Sequence, residues 1–178
     1  MLILSAAVIV VGALCLTDLL LSFGIIRRLR EHTTLLSGLR GAEVPVTGLS
    51  AGEVPDSFAR VSTDGERLAG PAGLRMAAFF SSSCSACPER VPAFVDYLQA
   101  NQIGRAGVLA VVLGPPGEPV PYLDRLAEVA QVCVEPDDSE LAAAFKVIGY
   151  PAFCLLDADG AVLATGYDPA ALPAPVAV

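Results

Sequence analysis

Hydrophobic positions fall into two regimes along the chain. From Met1 to Ile26 the pattern is unbroken: there is no Lys, Arg, Glu, Pro, Asn or Gln, and the polar positions are Ser5, Thr17, Asp18 and Ser22. As a helix this run would reach ~39 Å at ~1.5 Å per residue, enough to span a ~30 Å hydrocarbon core with some tilt. Arg27, Arg28 and Arg30 follow at once. A cleaved signal peptide carries its basic residues before the apolar run and a small-residue cleavage site after it. A lipoprotein signal at Cys15 fits poorly, because bulky Leu14 precedes it. Residues 1–26 therefore read as an uncleaved transmembrane anchor, and 27–47 as a juxtamembrane helix and linker. Asp18 lies within the anchor, where a carboxylate is costly. It either pairs with a membrane partner or sits protonated or near an interface.

Beyond the linker the pattern becomes short and alternating. Phe58-Ala59-Arg60-Val61 alternates and Asp64-Gly65 is a turn signal, which predicts a β-hairpin over 57–68. Leu74 to Phe80 and Gly107 to Leu113 are continuous apolar runs of buried-strand length. Between them, Val91, Phe94, Val95 and Leu98 recur at helical spacing within 84–100. A Pro-rich loop at 114–121 precedes a helix at 122–130, a short strand at 132–134 and a helix at 139–145 capped by Asp138 or Ser139. Two strands, 152–156 and 161–165, flank the turn Asp157-Ala158-Asp159-Gly160. The tail, 169–178, is too rich in Pro for a long helix. Strands separated by helices and closed by a hairpin predict an α/β domain with a central mixed sheet over 48–168.

Composition sharpens this picture. The 54% hydrophobic content reflects the anchor plus a sheet core. The net charge of -8 divides into +2 over residues 1–40 and -10 over the rest. An acidic domain argues against a nucleic-acid partner. One His among 178 residues argues against a His-rich metal site, and five scattered Cys do not make a disulfide-framework mini-protein.

The chemistry concentrates at Cys84-Ser85-Ala86-Cys87, between a buried strand and a helix. Unpaired N–H groups and the positive dipole end at a helix start stabilise a thiolate, and a dithiol there has its first thiol's pKa lowered. Cys84 is then the attacking nucleophile and Cys87 the resolving thiol. Ser85 and Ala86 between them, and Pro88 in the first helical turn, are the residues expected to tune the pair. Zinc would need two further ligands, and Cys133 and Cys154 are single and far apart in sequence. An inert structural disulfide is the other bland reading. Cys133 and Cys154 sit in apolar strands and are either buried free thiols or a second disulfide that relays electrons. Tyr150-Pro151 stands before the strand at 152, where Pro is tolerated.

These pieces together resemble the thioredoxin-like superfamily, in the branch of membrane-anchored disulfide oxidoreductases of the TlpA/ResA type. The matching segments are VPDSF with STDGERL, AAFFSSSCSACPERVPAF, GVLAVVL and FKVIGYPAFCLLDADG, about two thirds of the chain. The resemblance implies a thioredoxin-like fold and a cis Tyr150–Pro151 peptide facing the dithiol, with adjoining backbone that binds substrate. Ser where many relatives have Trp before the first Cys is similar to the methylamine dehydrogenase accessory (MauD-like) proteins. Family analogy places the domain outside the cytoplasm, against the Arg cluster, which favours a cytoplasmic carboxyl side. The resemblance departs in two places. The strand Leu74 to Phe80 lacks a carboxylate to deprotonate Cys87, with Glu89 expected to be solvated, and the final helix is cut short.

The function expected is a membrane-tethered thiol–disulfide oxidoreductase acting on protein disulfides through Cys84 and Cys87. No cofactor beyond the dithiol is needed, and a membrane electron donor or acceptor is the expected partner. Two alternatives are a dedicated maturation factor for a single client and a cytoplasm-facing thiol reductase. A peroxidase lacks its Thr-x-x-Cys pattern, and a copper chaperone lacks His ligands.

Overall fold

The computed structural model describes residues 12, 46–115 and 117–175. Apart from Gly12, the expected anchor at 1–26 and the segment 27–45 lie outside the described residues, as does Cys15. Among the described residues no helix is long and apolar enough to cross a membrane. The folded domain belongs to the unit Pro45–Val178.

A two-stranded hairpin leads. Strands β1 (Phe58–Val61) and β2 (Arg67–Gly70) pair antiparallel, with Phe58 opposite Gly70 and Val61 opposite Arg67. The chain reverses at Gly65, whose φ of 85° is open to glycine without strain. Thr63 N–H donates to Val132 O at 2.8 Å, and Arg60 Nε donates to Glu135 Oε1 at 2.7 Å. The hairpin is thus attached to the sheet through side chains and a loop contact.

The sheet has five strands. They are β3 (Met76–Ser81), β4 (Val108–Leu113), β5 (Gln131–Glu135), β6 (Ala152–Leu156) and β7 (Val162–Gly166), in the order β5-β4-β3-β6-β7. β3, β4 and β5 run parallel, whereas β6 is antiparallel to β3 and β7 to β6. This is the mixed sheet that the alternation of strands and helices predicts. Among the described residues of this unit the helices are α1 (Cys87–Ala100), α2 (Leu123–Val129) and α3 (Glu140–Ala144), with 3-10 turns at Arg105–Gly107 and Pro169–Ala171.

The continuous apolar runs are explained by a core on each face. Side chains alternate across a strand, so Met76, Ala78 and Phe80 join one cluster while Ala77 and Phe79 join the other. β4 divides in the same way, with Ala110 and Val112 on the first face and Leu109 and Val111 on the second. The first face is covered by α1 and α2 through Val91, Phe94, Leu98 and Leu126. Phe80 is its hub, with ring centroids 5.9 Å from Phe94, 5.8 Å from Tyr122 and 5.7 Å from Phe153. The second face takes Leu141 and Phe145 together with Val46 and Leu49.

Both ends of the domain are fastened down. Thr47 forms a bridge with Val147, Gly48 N–H donates to Lys146 O, and Ile148 N–H donates to Val46 O. Among the described residues no long helix follows β7. Instead, Leu172 enters the first core, Tyr97 Oη donates to Pro173 O at 2.6 Å, and Arg90 pairs with Asp168 at 3.1 Å.

Candidate active site

Three loops converge at one end of the sheet because of strand direction. β3 and β4 are parallel, so the segments that follow them leave from the same end. β6 is antiparallel to β3, with Ala152 opposite Phe79, so the segment that enters β6 arrives there too. The carboxyl ends of parallel strands are where open α/β sheets place their chemistry. Residues 82–86 follow β3, Gly114, Glu118 and Tyr122 follow β4, and Gly149-Tyr150-Pro151 precedes β6.

Cys84 lies in the turn ahead of α1, not in the helix. This corrects the expected helix start at 84: the helix begins at Cys87. The reason is local. Cys84 N–H donates to Ser81 O at 3.2 Å, and Cys87 N–H donates to Cys84 O at 3.2 Å, so two successive turns carry the chain from strand to helix. Pro88 then sits in the first helical turn, where its missing N–H leaves no hydrogen bond unmade. Ala86 is the residue before the helix and offers no side-chain cap. Ser85, Ala86 and Pro88 are exposed, as is Glu89.

The two thiols differ in setting. Cys84 is partly exposed and its Sγ donates to Tyr150 O at 3.6 Å, across a cis Tyr150–Pro151 peptide. Cys87 is fully buried in the first core. Burial pushes the Cys87 thiol up to about 12, the Cys84 thiol beside it adds to the rise, and the backbone of Ser81 opposes it. Both cysteines are free thiols. The structure therefore brings together Cys84, Cys87, Tyr150 and Pro151, with Ser85, Ala86 and Pro88 along the same turn.

The turn is braced by residues that the sequence did not single out. Ser81 Oγ and Ser83 Oγ share a hydrogen bond of 2.9 Å. Ser82 N–H donates to Leu113 O at 2.8 Å, and Ser82 Oγ donates to Glu118 Oε2 at 2.7 Å. Tyr122 Oη donates to Ser81 O at 3.3 Å. Glu118 and Tyr122 both come from the segment after β4. The available signal was the shared end of two parallel strands, which puts the Pro-rich loop beside the dithiol.

Cys133 and Cys154 do not form a second disulfide; both are buried free thiols. Sheet order forbids the bond. Cys133 is opposite Val111 on β4, Val111 is opposite Phe79 on β3, and Cys154 on β6 is opposite Ala77. Three ladder steps of ~4.8 Å put them about 14 Å apart, against the ~6.8 Å that a disulfide tolerates. Among the described residues no group of His, Cys, Asp and Glu could hold a metal ion.

The fold has counterparts among solved structures. The thioredoxin domain of a thiol-disulfide oxidoreductase from Bacteroides vulgatus superposes with a TM-score of 0.54 at 16% identity, over 66% of this chain and 89% of that one. The fold is thioredoxin-like. A thio-disulfide isomerase from Thermus thermophilus gives 0.52 at 19% identity, covering 67% of this chain and 87% of its own. The solution structure of a putative protein disulfide isomerase from Bacteroides thetaiotaomicron gives 0.55 at 18%, covering 67% and 80%. No family model and no curated protein matches the sequence. In this thioredoxin-like domain the dithiol turn follows the central strand, and the cis-proline loop faces it.

Proposed function

We propose that the protein is a thiol–disulfide oxidoreductase whose redox pair is Cys84 and Cys87. The observation that carries this reading is the asymmetry of the pair: one partly exposed thiol against the Tyr150 carbonyl, one buried thiol beneath it. The names of the similar structures support it in kind.

The asymmetry of the two thiols supports one order of events. Cys84, as thiolate, attacks one sulfur of a substrate disulfide, forming a mixed disulfide and releasing the first substrate thiolate, which takes up a proton. Cys87 then gives up its proton and attacks the Cys84 sulfur, forming the Cys84–Cys87 disulfide and releasing the second substrate thiol. Two electrons pass from the dithiol to the substrate, and the cycle runs in reverse when the substrate is a dithiol. Burial keeps the Cys87 thiol protonated, so the partly exposed Cys84 attacks first. Tyr150 and Pro151 border the substrate path, with the exposed Ile148 next to them.

The finer reading adds a single-pass anchor at 1–26, with the domain on the extracytoplasmic side and a membrane protein as electron donor or acceptor. The apolar run and the TlpA/ResA resemblance support it. The run Ser81-Ser82-Ser83, with its own hydrogen bonds, favours a second, narrower reading: a maturation factor of MauD-like type with one client.

Reduction of insulin disulfides, with dithiothreitol as the electron source, tests the chemistry. Cys84→Ser is expected to lose all activity with its circular dichroism unchanged, and full activity in that variant would refute the reading. Cys87→Ala is expected to accumulate a mixed disulfide: several trapped proteins indicate a general enzyme, and one indicates a dedicated factor. Labelling Cys84 in intact cells with a membrane-impermeant thiol reagent, before and after reduction, decides the side of the membrane. Labelling only after lysis supports the cytoplasm-facing alternative.

A further inference from the structure

We propose that Tyr122 is a positioning residue for the dithiol, acting through the Ser81 carbonyl that closes the Cys84 turn. This rests on the redox reading above and goes beyond it. Ser81 O accepts from two donors: Cys84 N–H at 3.2 Å from within the turn, and Tyr122 Oη at 3.3 Å from the residue just before α2. The backbone of Ser81 also acts on Cys87. One peptide segment therefore touches both cysteines, and Tyr122 holds it from outside.

Three features make Tyr122 suited to this role. It is buried, with its ring 5.8 Å from Phe80 at the hub of the first core, so its hydroxyl has a fixed origin. Burial, with the charges of Cys87 and Cys84 adding to it, pushes its phenol up to about 12, so at neutral pH it is a hydrogen-bond donor. Its segment is pinned a second time to the same turn, where Glu118 Oε2 accepts from Ser82 Oγ at 2.7 Å. The charged or titratable groups acting on it are the two thiols of the dithiol itself.

The contact is present with both thiols free; on this proposal closing the Cys84–Cys87 bond draws the Ser81 carbonyl away from Tyr122, so that losing the hydroxyl weakens the dithiol relative to the disulfide. A net hydrogen bond of ordinary strength corresponds to about a threefold to tenfold change in an equilibrium constant. Tyr122→Phe keeps the ring and leaves Ser81 O satisfied by Cys84 N–H, so the variant is expected to fold. The control is Tyr97→Phe, which removes another hydroxyl of the same core, the one bonded to Pro173 O at 2.6 Å.

The test equilibrates the full chain, in detergent, with mixtures of reduced and oxidised glutathione. Thiols are then alkylated and counted by gel shift. In this equilibrium one glutathione disulfide accepts two electrons and two protons from Cys84 and Cys87, giving two glutathione thiols and the protein disulfide. Tyr122→Phe is expected to move the midpoint about threefold to tenfold toward the disulfide, and Tyr97→Phe to stay within about twofold of wild type. No shift in Tyr122→Phe, a shift toward the dithiol, or an equal shift in Tyr97→Phe overturns the assignment of Tyr122 and leaves the redox reading standing. A wild-type chain that forms no Cys84–Cys87 disulfide at any glutathione ratio overturns the redox reading itself.

Discussion

Raising the pH from 7 to 10 is expected to destabilise the folded domain by about 4 kcal/mol, through three buried thiols. Burial pushes Cys154 up to about 12, Cys87 to about 12 and Cys133 to about 11, each from an ordinary value of 9.0. The sign follows from the acid form. These groups stay protonated in the fold, so their contribution is fully present below pH 9 and is lost as pH rises toward the folded values. At pH 10 the unfolded chain gains about 1.4 kcal/mol per thiol by ionising, and the folded chain gains almost nothing. Tyr122, raised to about 12 from 10.0, adds about 0.4 kcal/mol at that pH. For a domain of this size the total corresponds to a fall in Tm of about 15 °C. The assay is thermal unfolding by circular dichroism at pH 7, 8, 9 and 10, with the thiols kept reduced. Cys154→Ala isolates one contribution. Its lost packing costs the same at every pH, while the fall in Tm between pH 7 and 10 shrinks to about 10 °C. An unchanged fall in Cys154→Ala would show that Cys154 ionises freely in the fold and is not a core group.

Other outcomes follow from the same contacts. Resolution of the mixed disulfide needs Cys87 ionised, and burial, the largest cause of its raised pKa, persists in that state. Its rate in stopped-flow release of a fluorescent thiol is therefore expected to climb about tenfold per pH unit from 7 to 9, without a plateau. Gly70→Ala would put a methyl 2.4 Å from Phe58 Cζ across the β1–β2 ladder; a loss of about 1–3 kcal/mol is expected in chemical denaturation. Ser139→Ala removes the cap that accepts Ala142 N–H at 3.1 Å and is expected to cost about 1 kcal/mol by the same measurement.

Much of the fold was legible because burial on both faces leaves a plain mark. The runs over β3 and β4 are apolar at successive positions since each strand feeds two cores, and Asp64-Gly65 and Asp157 to Gly160 carry their turns in side-chain chemistry. Asp157 Oδ1 accepts from both Asp159 N–H and Ala161 N–H. The dithiol and its proline partner were equally visible, one as a motif and the other by resemblance. The exact start of α1 was not, because the two turn bonds around Cys84 use backbone atoms that any residue provides. Tyr122 and Glu118 were hidden for another reason. Their partners lie 41 and 36 residues away, and only the parallel pairing of β3 with β4 brings them together.

The alternation of side chains across the sheet also sorts the thiols. Cys87 belongs to the face under α1 and Cys84 packs against it, whereas Cys133 and Cys154 belong to the opposite face. The four cysteines among the described residues admit three complete pairings. The sheet stands between the members of every cross-face pair, and three strand spacings separate the two on the far side. An oxidant that enters at Cys84 therefore meets a single accessible bond to make. The folded domain is built so that its thiols do not scramble.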